Sequence, residues 1–455
     1  MNKKWEQLLN PETFRPRSDI KQFDGRNPFE NDYGRLISSA PIRRLQDKTQ
    51  VFPLEKSDYI RTRLTHSLEV SYIASSIGKS IERYLFDEKG LDEKVYSGHI
   101  SSILRCAGLV HDLGNPPFGH FGETAIQEFF KKYFEDKKET CSLNKREMDD
   151  FKNFDGNVQT FRILRKLSYL VDEHSYNLTF PTIASIIKYP SASDNGNQGK
   201  KATRIADKKY GYFISEQNDY DKINKVLGLN NNRHPLVYLL EAADDIAYSA
   251  ADIEDGAKLG IIGYEQIREI FSENLVENKS LIIKLDEFHN KNKNTLDRLS
   301  LTVQQFRILT QGKMVEGVIK CFQENYEQIM KGEFEHELLD KSSGSDIRNS
   351  YKELQYIVFD NKNIMQTELA GGEIITGLLE IFIAAAEKDS FKTKGNNRET
   401  RLYKNISSSY RYIYENLNNH TNDEYNRIQL ITDFISGMTD TYALNLFRKL
   451  KGIRL

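Results

Sequence analysis

The sequence predicts an all-α protein, and three observations support this fold class. Only 10 prolines and 27 glycines interrupt the 455 residues. The stretches between them are long and rich in Leu, Ile, Lys, Glu and Gln, which favour helices over short strands. Apolar residues also recur at helical spacing, most clearly from Leu64 to Leu85. We therefore expect helices to form the hydrophobic core.

The elements follow in order along the chain. Residues 1–60 are mixed and loop-rich, and are interpreted as an arm before a first helix of about five turns that opens beside His66. A second helix is expected through residues 100–110, with His111 and Asp112 in its last turn, and it must end by 114–117 because the prolines there cannot continue it. Further helices are predicted at residues 236–252, 303–330 and 431–450, and exposed loops at 191–199 and 392–397.

Charge and cysteine usage narrow the class of protein. The formal net charge is −2, so no general basic field draws the chain to nucleic acid, and any anion site has to be local. The three cysteines lie far apart, which fits reduced thiols in a cytosol better than a disulfide framework. The N-terminus lacks the apolar core of a signal peptide, and apolar runs are interrupted by charges. We expect a cytoplasmic protein that does not span a membrane.

Four residues that follow one another along the chain as His, His-Asp and Asp could together bind one metal ion. His111 and Asp112 are adjacent near a predicted helix end, so one imidazole nitrogen and one carboxylate oxygen can converge on an ion. His66 on the preceding helix can supply a third ligand, and the acidic stretch 241–248 a fourth. A single histidine at a helix end is more often a cap or a core residue than a ligand. The set of four argues against that simpler interpretation.

Longer motifs around these residues resemble the bacterial dGTP triphosphohydrolases of the HD phosphohydrolase superfamily. The motifs are KTQVFPL (48–54), RTRLTHSLE (61–69), HDLGNPPFGHFGE (111–123) and ISGMTD (435–440). The resemblance runs in order from roughly residue 30 to the C-terminus. It implies an HD-domain helical core with an additional C-terminal helical region. We accordingly expect an N-terminal arm (1–60), an HD phosphohydrolase core (61–255) and a helical extension that completes the nucleotide site (256–455).

The resemblance implies the metal ligands His66, His111, Asp112 and Asp244. It favours Asp244 over Asp245, since Asp244 shares one helix face with Tyr248 and Asp252, whereas Asp245 points about 100° away. Two imidazoles and two carboxylates form a borderline to hard donor set that leaves positions for water and phosphate oxygens. Mg²⁺ or Mn²⁺ is therefore the expected cofactor.

His120 and Glu123 are implied as the acid/base pair. Hydrolysis at the α-phosphorus requires the attacking water to lose a proton and the departing 5′ oxygen to gain one. An imidazole held by a carboxylate can move such a proton near neutral pH. In the simpler alternative, Glu123 only interacts with the dipole of its helix and His120 is a loop residue.

The resemblance implies eight substrate contacts, namely Gln50, Arg63, Lys188, Tyr189, Lys209, Tyr248, Asp252 and Arg401. A triphosphate carries several negative charges that a metal alone cannot neutralise, so cations are needed nearby. An aromatic ring can exclude ribose sterically and a carboxylate can accept from the 3′ hydroxyl, which makes Tyr248, Asp252 and Gln50 the candidates for sugar recognition. Each of these residues could instead be an ordinary core or surface side chain.

The implied reaction is hydrolysis of dGTP, or of a broader range of dNTPs, to deoxynucleoside and tripolyphosphate. The family also implies a homo-oligomer, often a hexamer, and single-stranded DNA or a second nucleotide could act as an effector. Two alternatives remain: an HD-fold phosphodiesterase or nucleotidase, and a nucleic-acid-binding scaffold with vestigial catalysis. The predicted cations argue for a longer phosphate chain than the first needs, and the intact acid/base residues argue against the second.

Overall fold

Helices make up the regular secondary structure of the protein. A computed structural model describes residues 2–16, 25–55, 57–168, 170, 172–196, 199–275, 279–393, 395–417 and 422–453. Within these ranges, extended backbone pairs only at an isolated bridge between Thr49 and Thr62. The all-α prediction is confirmed.

The first half of the chain supplies the helices around the predicted site. They are α1 (Asn2–Leu8), α2 (Pro28–Ile37), α3 (Ala40–Arg44), α4 (Arg63–Lys89), α5 (Glu93–Tyr96), α6 (His99–Val110), α7 (Gly119–Asp136), α8 (Lys145–Lys152), α9 (Gly156–Arg165), α10 (Phe180–Ala184), α11 (Gln217–Leu227) and α12 (Pro235–Lys258). Short 3₁₀ helices are Leu45–Asp47, Gly199–Lys201, Ile205–Asp207 and Ile214–Glu216.

The second half packs around this set. Its helices are α13 (Tyr264–Asn274), α14 (Lys279–Lys291), α15 (Arg298–Glu324), α16 (Tyr326–Lys331), α17 (Leu338–Lys341), α18 (Ser345–Phe359), α19 (Lys362–Ala386), α20 (Arg398–Asn405), α21 (Ser408–Asn416), α22 (Asp423–Ser436) and α23 (Asp440–Lys451), with a 3₁₀ helix at Asp389–Lys392. α15 and α18 pack on α12, while α19 packs on α7, α22 and α23.

Helices α4, α6 and α12 pack against one another at the centre. A Cβ atom on Gly78 of α4 would lie 2.8 Å from the Cα atom of Ser101, and one on Gly108 of α6 would lie 2.7 Å from the Cα atom of Ser71. A larger side chain at either glycine would force the two backbones apart. This close contact brings the start of α4 beside the end of α6, where the predicted ligands lie.

The buried apolar residues form one cluster that runs from Trp5 to Leu446. Even the first helix takes part, since Trp5 is buried and its Nε1 donates to the hydroxyl of Tyr326 at 2.8 Å. The core therefore crosses both predicted boundaries, at residues 60 and 255. The division into arm, core and extension stays a prediction.

Helix α19 is long and apolar enough, by length and composition, to cross a membrane. Its most apolar window is 56% buried inside the protein, and the helix packs on α7, α22 and α23. A core helix passes the same test of composition, so packing accounts for the apolar character of α19.

Several predicted helix limits are wrong. α4 has 27 residues, which is longer than the expected five turns. The stretches 303–330 and 431–450 each contain a break, at Asn325 and at residues 437–439. At the second break the Thr439 side chain accepts from the backbone N–H of Tyr442 and caps a new helix. In the two predicted loops, residues 197, 198 and 394 lie outside the described residues, and parts of the remainder form 3₁₀ helices.

Candidate metal and acid/base site

Two histidines and two aspartates meet where α4, α6 and α12 come together. His66 lies in the first turn of α4, His111 caps the C-terminus of α6 with Asp112 after it, and Asp244 lies on α12. Asp244 Oδ1 is 3.1 Å from His66 Nε2 and 3.3 Å from His111 Nε2. His111 Nε2 is 3.5 Å from Asp112 Oδ1. The structure thus brings together all four predicted ligands.

The tautomer of His111 suits a metal ligand. Its Nδ1 lies 2.7 Å from the carbonyl oxygen of Gly108, and since a carbonyl can only accept, Nδ1 carries the hydrogen. In the neutral imidazole Nε2 then keeps a free lone pair, and it faces the carboxylates of Asp112 and Asp244, as a metal ligand would. Ligand atoms of His66, His111 and Asp112 lie within 4.8 Å of one another. The donor set therefore fits one divalent ion.

Asp112 is oriented by two neighbours. Arg63 Nη1 donates to its Oδ2 at 2.5 Å, and Asn115 Nδ2 donates to its Oδ1 at 2.6 Å. Burial alone would raise the pKa of Asp112, but the electrostatic effect of the neighbouring His111 and Arg63 outweighs it and lowers the pKa to about 2. The carboxylate is therefore ionised at neutral pH, as a ligand must be.

The neighbouring carboxylates Asp244 and Asp245 face different partners. The second oxygen of Asp244 lies 3.6 Å from Lys188 Nζ. Asp245 Oδ2 instead lies 2.5 Å from Arg348 Nη2. Within the pair, Asp244 is the residue that meets the two histidines.

His120 and Glu123 form a hydrogen-bonded pair at the start of α7. The helix opens after Phe118, which has a left-handed φ of 61°. His120 Nδ1 lies 2.8 Å from Glu123 Oε2, and the backbone N–H of Gly156 donates to Glu123 Oε1 at 2.8 Å. The Glu123 side chain is 6% exposed, whereas that of His120 is 83% exposed. The hydrogen bond that His120 donates to the Glu123 carboxylate raises the pKa of His120.

Three predicted phosphate contacts lie among these groups. Arg63 lies between Asp112 and the start of α7, since a Cβ on Gly119 would be 2.8 Å from Arg63 Nη2. Lys188 faces Asp244. Lys209 pairs with the buried Asp155, yet its side chain remains 37% exposed. The cations therefore connect the candidate metal ligands with the His120–Glu123 pair.

The predicted sugar contacts are partly buried polar groups. Tyr248 and Asp252 follow Asp244 along α12 at about 6 Å and 12 Å. Asp252 accepts from Gln355 Nε2 at 2.9 Å, and burial together with the nearby Asp255 raises its pKa to about 8. Among the residues that the structure describes, buried Gln50 Oε1 has no hydrogen-bond partner.

Tyr189 and Arg401 are the two remaining predicted substrate contacts. Tyr189 is half-buried next to Lys188 in the chain. Arg401 lies on the exposed face of α20, and its Nε donates to the backbone and side-chain oxygens of Asn396 at 3.1 and 3.0 Å. In the described part of the chain, none of its hydrogen bonds joins it to the other predicted site residues. Its role stays a prediction.

Lys48 and Asp440 form hydrogen bonds that hold the loops around the candidate site. Neither residue was predicted as a site residue from the sequence. Lys48 Nζ donates to the carbonyl of Asn115 and, at 3.0 Å, to that of Ser436. Burial lowers the pKa of Lys48 to about 7. Asp440 accepts from the N–H of Phe118 at 3.0 Å. Both residues belong to the motifs 48–54 and 435–440, which is the signal that could have identified them.

Comparison with known families identifies the class of this protein. A family model for the HD domain matches residues 63–207, and one for the phosphohydrolase-associated domain matches residues 346–449. HD domains are metal-dependent hydrolases, and the first match contains His66, His111 and Asp112. The helical fold and the His/Asp cluster therefore define an HD-domain hydrolase.

Full-length relatives give the family. Deoxyguanosinetriphosphate triphosphohydrolase-like proteins of Listeria innocua and Listeria monocytogenes are each 41% identical over 99% of this chain and 100% of their own length. A protein of the same name from Synechocystis is 32% identical over 99% of this chain and all of its own length. The chain belongs to the deoxyguanosinetriphosphate triphosphohydrolase-like family.

Proposed function

We propose that this protein is a divalent-metal-dependent triphosphohydrolase that converts dGTP and water into deoxyguanosine and tripolyphosphate, with other dNTPs as further substrates. The proposal is carried by one observation: Arg63 connects the cluster of two histidines and two aspartates to the start of the helix that bears His120 and Glu123. Such a hydrolysis needs a metal centre that binds the phosphate and a pair of residues that transfers the proton.

His66, His111, Asp112 and Asp244 would hold Mg²⁺ or Mn²⁺. When bound, the ion supplies Lewis-acid polarisation of a phosphate oxygen. Arg63 and Lys188 contact the carboxylates of this set and would add positive charge for the triphosphate. Lys209, whose side chain is partly exposed, would do the same from the side of α9.

His120 would handle the proton. Its Nδ1 is held by Glu123, which leaves the exposed Nε2 free to meet water or the 5′ oxygen. Attack of water forms a new bond to the α-phosphorus and breaks the bond from that phosphorus to the 5′ oxygen. One proton leaves the water and one reaches the 5′ oxygen, so tripolyphosphate departs intact. General acid–base help of this kind contributes about 10²- to 10⁴-fold.

Sugar recognition would fall to Tyr248, Asp252 and Gln50. The Tyr248 ring would occupy the space of a 2′ hydroxyl, while Asp252 would accept from the 3′ hydroxyl. The buried Gln50 Oε1 supports this assignment, because no described residue donates to it and a buried acceptor is stabilised when a donor reaches it.

We further propose a cytoplasmic homo-oligomer, a hexamer by family resemblance, in which single-stranded DNA or a second nucleotide acts as effector. All three cysteines are free thiols, and Tyr356 and Leu369 are 75% and 67% exposed. Exposed large apolar side chains suit subunit contacts. Light scattering after size-exclusion chromatography measures the oligomeric state.

Product analysis tests the proposed reaction. The purified protein is incubated with Mg²⁺ or Mn²⁺ and each of the four dNTPs, alone, in pairs and with single-stranded DNA, with ribonucleotides as controls. Deoxynucleoside plus tripolyphosphate is the expected outcome, and His120→Ala should lose turnover while still binding metal. Monophosphate and pyrophosphate would instead favour a phosphodiesterase-like or nucleotidase chemistry, and absence of any product would favour a scaffold.

A further inference from the structure

Asp155 is a buried carboxylate in the residue before α9, close to the His120–Glu123 pair. It is 2% exposed. Its Oδ1 accepts from the backbone N–H of Asn157 at 2.7 Å and from Asn157 Nδ2 at 2.8 Å, and its Oδ2 accepts from Lys209 Nζ. The proposed hydrolysis assigns no role to Asp155.

The peptide that links Asp155 to Gly156 carries the N–H that holds Glu123. Gly156 N donates to Glu123 Oε1 at 2.8 Å, and Glu123 Oε2 lies 2.8 Å from His120 Nδ1. The bond from Asn157 N to Asp155 Oδ1 closes a ring that contains this same peptide, so it fixes the direction of the Gly156 N–H. A change in the Asp155 side chain is therefore passed to His120 through two hydrogen bonds.

Gly156 itself restrains this peptide weakly. Glycine has more backbone freedom than any other residue. A Cβ at this position would lie 2.4 Å from Asn115 Oδ1, so a stiffer residue does not fit. Two local bonds hold the peptide: Gln159 N donates to Asp155 O at 3.1 Å, and the side chain of Asp155 caps the helix. The second of these is the one that a substitution can remove.

We propose that Asp155 is a positioning residue: by capping α9 it directs the Gly156 N–H at Glu123 and so keeps the His120–Glu123 pair aligned for proton transfer. Lys209 compensates the buried charge of Asp155. The inference rests on the proposed acid/base role of His120 and Glu123.

The variants Asp155→Ser and Asp155→Ala separate capping from charge. Both lose the ion pair with Lys209, but only serine can accept the Asn157 N–H as a helix cap. The other charged groups that face His120, which are Glu123 and Lys209, stay the same in both. We expect kcat for dGTP to be about five- to tenfold lower in Asp155→Ala than in Asp155→Ser, with equal KM. A difference confined to KM would overturn the positioning role.

A second readout needs no turnover. Because the hydrogen bond that His120 donates to Glu123 raises the pKa of His120, a less firmly held Glu123 should lower the midpoint of the His120 titration, followed by NMR. We expect this midpoint to be about half a unit lower in Asp155→Ala than in Asp155→Ser. Equal midpoints would overturn the inference whatever the turnover. Unequal midpoints in a protein that releases no tripolyphosphate would refute the proposed reaction and leave the positioning role standing.

A matched control removes a helix cap elsewhere. Asp297 caps α15 by accepting from Ser300 N at 3.3 Å. Asp297→Ala should lower the melting temperature as a lost cap does, yet leave both kcat and the His120 midpoint unchanged. A fall in kcat equal to that of Asp155→Ala would attribute the effect to general loss of stability and overturn the inference.

Discussion

Replacing Glu123 with glutamine removes a charge from the acid/base pair while keeping its shape. Both oxygens of the nearly buried Glu123 are engaged, one by His120 and one by the Gly156 N–H. Glutamine keeps an acceptor for the Gly156 N–H. Toward His120 it presents a neutral group, so the charge-assisted hydrogen bond to the imidazolium is lost.

The expected size of this effect follows from the exposure of the pair. Hydrogen bonds to charged groups contribute about 1.5–3 kcal/mol. Because the His120 side chain is 83% exposed, screening by water favours the lower end of that range. A loss of about 1.5 kcal/mol from the transition state lowers kcat roughly tenfold.

The pH profile should move as well. The hydrogen bond that His120 donates to the Glu123 carboxylate raises the pKa of His120, so its loss lowers that pKa. Protonated His120 is the form that donates to the 5′ oxygen, and activity that depends on it is lost as the pH rises through its pKa. The alkaline limb of kcat should therefore shift to lower pH in Glu123→Gln.

The assay is kcat against pH at saturating dGTP and Mn²⁺, with circular dichroism as a check of folding. Glu128→Gln changes an exposed carboxylate on the same helix and serves as the control. A Glu123→Gln enzyme with unchanged kcat and an unshifted alkaline limb would refute the assignment of the pair.

Two further predictions concern the donor set and the helix packing. Asp244→Ala should abolish Mn²⁺ binding in calorimetry, whereas Asp245→Ala should keep binding and lower the free energy of unfolding by about 1–3 kcal/mol, because the buried Arg348 loses one carboxylate partner while Glu337 and Asp340 remain. Retained binding in Asp244→Ala would contradict the ligand set. Gly108→Ala should lower that free energy by about 1–3 kcal/mol, since its Cβ would meet Ser71; an unchanged denaturation midpoint would contradict the close packing of α4 and α6.

The candidate donor set could be predicted because its signals are local. His111 and Asp112 are adjacent in the chain, whereas the choice of Asp244 over Asp245 depended on the family resemblance. The contacts that hold the site were beyond such reasoning. The Gly156 N–H that meets Glu123 is a backbone group with no signature of its own, and the bond from Lys48 to Ser436 joins residues 388 positions apart. Such contacts are set by tertiary packing.

The helix limits also include some that local sequence signals predict and some that tertiary packing sets. The start of α4 was predictable from its apolar rows. The break between α22 and α23 was not, because apolar residues continue at helical spacing on both sides of it. Only the packing of both helices against α19 shows that the chain turns there, where Thr439 caps the new helix.

Hydrolysis of dGTP in ¹⁸O-labelled water, with Mn²⁺ present, tests the central claim most directly. Attack of water on the α-phosphorus predicts one labelled oxygen in the released tripolyphosphate and none in deoxyguanosine, as read by mass spectrometry. Label in deoxyguanosine would place the attack on the sugar carbon, and label in pyrophosphate or a nucleoside monophosphate would place the cleavage at another bond. Either result would contradict the proposed triphosphohydrolase.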